Sequence, residues 1–234
     1  MREHIEVVKL HAADFWLARG AVILIVALQL LVSNRVTFGS RWLAPLVEIA
    51  LLIPLSLATG WTHKNSAVVT TPGHAETFLR LRRWMRLLAL LLTGIVSLAN
   101  LGSLLLLIQA LVGGHAGSGR TLLVDAVNIW ATNVIAFALW FWNSDRSSPA
   151  ARGLVSEPQS DFLFSNMTTE AKGARPWTPG FLDYLYLSFT NSTALSPADT
   201  LPISQRAKML MMLEACISLM TIAIVAARAV NILQ

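Results

Sequence analysis

The chain has one cysteine, Cys216, and little charge: Asp, Glu, Lys and Arg make up 13% of its 234 residues. A lone thiol cannot close an intrachain bridge, which excludes a disulfide scaffold. About a quarter of an average soluble domain is charged, so a water-facing globule of this length would lack the groups to cover its surface. A disordered chain is poor in apolar residues, whereas 55% of this one is hydrophobic. With 13 glycines and 9 prolines, a collagen-like repeat is excluded as well. What the chain does have is long apolar runs. They define an all-α, polytopic membrane protein.

A helix needs about 20 apolar residues to cross a bilayer core. Five stretches meet that need: Trp16–Val32, Trp42–Gly60, Leu87–Val112, Thr121–Trp142 and Met209–Val230. Trp16, Trp42, Trp61, Trp84, Trp140 and Trp142 fall at or near the ends of these runs. An indole has an apolar body and one N–H donor, so it settles at the headgroup level. The first run reads as a retained span. Asp14 and Arg19 interrupt the basic start that a signal peptide needs, and Ser33-Asn34-Arg35 is no small-residue cleavage site. The chain thus divides into a four-helix transmembrane region (1–142), a polar linker loop (143–180) and a C-terminal unit (181–234). Pro149, Pro158, Pro176 and Pro179 mark the linker, and Phe162-Leu163-Phe164 is expected to tack it to the membrane surface or to a neighbour.

The net charge is +5. In a soluble protein this would suggest nucleic acid. Here the basic residues sit at the ends of apolar runs and are read as loops facing anionic lipid, with no nucleic-acid partner. With the N-terminus inside and 181–195 not crossing, 14 of the 18 Lys and Arg residues fall on one side. Arg80, Arg82, Arg83 and Arg86 dominate that set, and only Arg35, Arg41, Arg120 and Arg228 fall opposite. The expectation is a multi-pass protein of a cell (inner) membrane with a cytoplasmic N-terminus.

Catalytic and cofactor motifs do not develop. Gly114-His-Ala-Gly-Ser-Gly119-Arg120-Thr121 approaches a phosphate-binding loop, but Arg120 stands where lysine belongs and the segment joins two apolar helices. A tight interhelical turn accounts for its glycines. The histidines (4, 11, 63, 74 and 115) are scattered over tails and loops without metal-ligand spacing. No nucleophile elbow or catalytic triad order is present. The sequence predicts no enzyme, no cofactor and no metal.

Polar residues within the spans are costly in lipid unless they are partnered or wet. Thr93, Ser97, Asn100 and Ser103 share one helical stripe, and Thr121, Asp125, Asn128 and Thr132 share another. Glu214, Ser218 and Thr221 form a third, and Glu48 lies in the second run. These stripes must face one another, a water-filled cavity or a second subunit.

Phe181–Thr190 is apolar, aromatic and ten residues long, enough for about half a bilayer as a helix. The polar string Asn191–Pro202 follows it and then the last span. Short helix, polar return and long helix make the layout of a re-entrant loop. The stretch Ser188-Phe-Thr-Asn-Ser-Thr-Ala-Leu-Ser-Pro-Ala-Asp-Thr-Leu-Pro202 resembles the pore loop of potassium channels, which reads S-F-T-T-x-T-T-V-G-Y-G-D-x-x-P. Ser188, Phe189, Thr190, Thr193, Asp199 and Pro202 match it position for position. The same C-terminal stretch is similar to a family of bacterial inner-membrane proteins that share the short aromatic helix and the late Ala-Val-Asn-Ile.

The resemblance implies a pore-loop cation channel with Arg206–Leu233 as inner helix, assembled as a homo-oligomer, a tetramer, around one pore. It departs from the family where Ser196-Pro197-Ala198 replaces G-Y-G. Glycine permits the left-handed backbone of a carbonyl-lined filter, whereas Pro197 fixes φ and lacks an amide. Monovalent cations would then meet side-chain oxygens of Asn191, Ser192, Thr193, Ser196 and Asp199, with weak selectivity. The other class left open is a non-conducting membrane protein, or a small-solute carrier, that keeps the loop structurally. The chain has no internal repeat of the kind carriers show.

Overall fold

A computed structural model of the chain describes residues 2–31, 72–113, 119–145, 160–168, 177–193 and 200–232. The run Trp42–Gly60, with Glu48, and the loop positions Ser196 and Asp199 lie outside the described residues. The described chain is mostly helical: α1 (Arg2–Leu31), α2 (Pro72–Val112), α3 (Gly119–Ser144), α4 (Phe181–Ser192) and α5 (Gln205–Ile232). Two short strands, β1 (Phe162–Phe164) and β2 (Thr200–Pro202), and one helical turn at Ser165–Thr168 complete it.

Three of these helices are long and apolar enough to cross a membrane: Arg83–Val112 in α2, Gly119–Ser144 in α3, and Gln205–Ala227 in α5. In α1 the apolar part, Trp16–Leu30, is shorter. Pro72 opens α2, where a missing N–H and a fixed φ suit the first helical position. The basic segment therefore continues without a break into the span. Ser204 opens α5, its Oγ accepting the Ala207 N–H at 3.1 Å.

α3 is the centre of the bundle. It packs against α1, α2, α4 and α5, and 72% of its apolar window is buried, against 33% in α2 and 28% in α5. The outward faces of α2 and α5 carry exposed Leu91, Leu98, Leu105, Met209, Met212 and Leu219. Large apolar side chains in that number are the face a bilayer covers.

Side-chain contacts fix the directions of the helices. Arg86 at the head of the α2 span donates from Nε to the Asn143 carbonyl at 2.9 Å and from a terminal nitrogen to the Ser144 carbonyl at 3.2 Å. These carbonyls end α3, so the guanidinium satisfies acceptors that no helical N–H reaches and lies at the negative end of the α3 dipole. Farther along, Asn100 Nδ2 donates to the Ile129 carbonyl at 3.1 Å. α2 and α3 are antiparallel. Asn133 Nδ2 donates to Ser218 Oγ at 2.9 Å, which sets α5 antiparallel to α3 as well.

The described part of the linker is held more closely than its composition suggests. β1 pairs antiparallel with β2 in the register Phe162↔Pro202, Leu163↔Leu201 and Phe164↔Thr200. This ribbon is the departure from a purely helical chain among the described residues. Phe162 and Phe164 are buried against Phe141, Tyr184 and Trp177, with ring centroids 5.1 to 6.2 Å apart. The Phe-Leu-Phe segment thus tacks to the end of its own bundle. Trp142, which the sequence places at a lipid interface, is buried in the same aromatic layer and meets Phe181 and Tyr184 edge-on. Trp140 turns inward too, its Nε1 donating to Ser97 Oγ at 2.9 Å.

Candidate functional site

Helix α4 starts at one end of the bundle and stops near its middle. Its first turn is held by two carboxylates. Asp183 Oδ2 accepts the Gly180 N–H at 2.7 Å, and Asp14 Oδ1, from α1, accepts the Phe181 N–H at 3.1 Å. Gly180 has no side chain to cap the helix itself, and a Cβ there would lie 2.8 Å from Asp14 Oδ1. Its bareness is what lets α1 supply the cap.

The same end of the bundle holds the start of α5. Asp145, just past α3, is fully buried. Its Oδ2 accepts the Tyr184 hydroxyl at 2.5 Å and its Oδ1 the Asp161 N–H at 2.9 Å. The Asp161 carbonyl in turn accepts the Ile203 N–H at 2.9 Å. Asp14, Arg86, Asp145, the head of α4 and the head of α5 therefore lie together. The chain dips inward as α4 and is back at the same level by β2. Arg206 and Lys208, in the first turn of α5, lie at this end with Arg86.

At its inner end, α4 meets Glu214, which lies nine residues into α5, about 14 Å along its axis. Glu214 is wholly buried. Asn191 Nδ2 donates to its Oε2 at 2.7 Å and to the Met211 carbonyl at 2.9 Å. Ser192 Oγ donates to Oε1 at 2.8 Å. Ser188 Oγ lies in hydrogen-bond contact with the same Oε1 and 2.6 Å from the Val134 carbonyl of α3. One face of little more than one turn of α4, Ser188 to Ser192, thus closes around a single carboxyl group. One helical turn further along α5, Ser218 accepts from Asn133.

Of the expected pore-lining residues, Asn191 and Ser192 point at Glu214 of the same chain. Thr193 closes the last turn of α4, its Oγ donating to the Phe189 carbonyl at 2.9 Å. Asn100 of the α2 stripe donates to the Ile129 backbone carbonyl of α3, and Ser218 of the α5 stripe accepts from Asn133, which lies outside the α3 stripe. Asp125 and Asn128 are buried on the N-terminal half of α3, far from Glu214: the steps from Ser218 to Glu214 and from Asn133 to Asp125 run in opposite directions, about 18 Å in all. Asn133 lies off the α3 stripe, so periodicity does not mark it, although any asparagine inside a span is costly. Asp14, Asp145 and Tyr184 carried no local signal, because their partners are distant in sequence.

Among the described residues, no three His, Cys, Asp or Glu side chains come together as metal ligands. No protein-family model, curated protein or solved structure matches the chain.

Proposed function

We propose that the chain is a pore-loop cation channel of a cell membrane, a homotetramer with five spans per subunit, weakly selective among monovalent cations. The observation that carries this reading is the path of 181–204: a short helix descends to mid-bundle and its chain returns to the end it left. A dipole follows from that geometry. The C-terminal, partly negative end of α4 points toward the middle of the bundle, where it favours a cation. Asn191, Ser192, Thr193, Ser196 and Asp199 are the residues assigned to the conduction path, and Asp199 from several subunits would form a carboxylate ring. The N-terminus and the Arg80–Arg86 segment face the cytoplasm in this reading, and the loop enters from that side.

A second reading has its own observation. Asn191 and Ser192 spend their donors on Glu214 of the same subunit, which suits a non-conducting protein or a small-solute carrier that keeps the loop for structure. Ion flux into liposomes holding the purified protein separates the two, run with several cations alongside the oligomeric mass in detergent. Cation flux from a four-subunit particle supports the channel. A monomer or dimer with no flux of any cation, at varied voltage, pH and calcium, supports the second reading.

A further inference from the structure

The hydrogen bonds around Glu214 can be counted proton by proton. Ser188 Oγ has one hydrogen and two oxygen neighbours, the Val134 carbonyl and Glu214 Oε1. A carbonyl can only accept. If Glu214 were a carboxylate, it too could only accept, and one of the two close oxygen pairs would have no hydrogen between them. A proton on Oε1 resolves the conflict. The acid O–H donates to Ser188, and Ser188 donates to Val134. Ser192 donates to Oε1, and Asn191 Nδ2 donates to Oε2. Every contact then has one hydrogen.

The surroundings agree. On α4, Glu214 faces two hydroxyls and an amide. Toward α3 the cluster reaches the Val134 carbonyl through Ser188, and one turn along α5 Ser218 accepts from Asn133. α2 carries no titratable side chain between Leu87 and Val112, and β2 carries none. On its own helix the nearest cation, Lys208, is six residues away, about 9 Å, and exposed. Cys216 is exposed on another face. Among the described residues no Lys or Arg side chain is paired with Glu214, and an unbalanced charge in an apolar interior is expensive.

We infer that Glu214 is a proton-binding site inside the bundle, an acid in the state described here that gives up its proton to water when the cluster opens. Loss of the proton leaves a carboxylate. Ser188 then turns its hydrogen from the Val134 carbonyl to Oε1, so one hydrogen bond between α4 and α3 is exchanged for one between α4 and α5. The group taken up and released is H+ alone. This inference does not depend on conduction, since the site lies within one subunit.

Infrared spectroscopy of the full-length protein in lipid tests it directly, because only a protonated carboxyl gives the carboxylic C=O band. A band is expected at neutral pH, with loss on alkalinisation. Glu214→Gln should remove it, Ser188→Ala should shift it, and Asp125→Asn should leave it in place. Absence of the band in the unmodified protein would overturn the inference. So would its survival in Glu214→Gln or its disappearance in Asp125→Asn. Should Glu214→Gln fail to fold, Ser188→Ala decides: a shifted band supports the site, and an unmoved one overturns it.

Discussion

Asn191 and Glu214 are joined at mid-bundle by a 2.7 Å hydrogen bond between Nδ2 and Oε2, and the same amide nitrogen holds the Met211 carbonyl at 2.9 Å. The amide thus clamps α4 to both a side chain and the backbone of α5. Ser188 adds α3 to the same junction. Three helices meet on one carboxyl group.

Glu214→Leu removes that acceptor. Ser192 loses its partner and Asn191 keeps only the Met211 carbonyl, and a buried donor left unsatisfied costs about 1–3 kcal/mol. Thermal unfolding in detergent should show a lower midpoint for Glu214→Leu than for Glu214→Gln, which keeps an amide oxygen in place. Equal midpoints would mean that the cluster contributes nothing to folding.

Gly180→Ala should cost about as much as losing a helix N-cap, about 1 kcal/mol. The new Cβ would push Asp14 Oδ1 from its place beside the Phe181 N–H. Asp14→Ala removes the same bond, so the double variant should be little worse than either single one. Full additivity of the two losses in the same unfolding assay would contradict a shared cap.

Sidedness can be read by cysteine labelling in a Cys216→Ser background. Arg82→Cys should resist an impermeant reagent applied outside the cell and react once the membrane is permeabilised. Gly117→Cys, between α2 and α3 in the sequence, should react from outside. The reverse pattern would invert the proposed orientation.

Asp199→Asn should lower the preference for cations over anions in liposome flux, since it removes a ring of negative charge from the proposed path. Pro197→Gly should leave conduction intact. Strong potassium-over-sodium selectivity in the unmodified protein would show that Ser196-Pro197-Ala198 supports an aligned carbonyl filter after all.

The class of protein and three of its spans are legible in the sequence, because burial in lipid imposes length and apolarity locally, residue by residue. Leu87–Val112, Thr121–Trp142 and Met209–Val230 appear as the apolar spans Arg83–Val112, Gly119–Ser144 and Gln205–Ala227 of α2, α3 and α5, with ends displaced by a few residues. The short helix at 181–190 was legible for the same reason, as an apolar run too brief to cross. Which polar residue meets which was not legible. Periodicity places Glu214 on an inward stripe, but nothing in α5 itself says that Ser188, Asn191 and Ser192 will surround it. Nor does the linker's composition announce that Phe162 and Phe164 will pair with the returning chain at Thr200–Pro202. Those outcomes depend on bringing α3, α4 and α5 to one level, and only the packed bundle does that. Unmet hydrogen-bonding groups inside an apolar medium have no water to turn to, so the partners they find are set by tertiary proximity and not by neighbours in the chain.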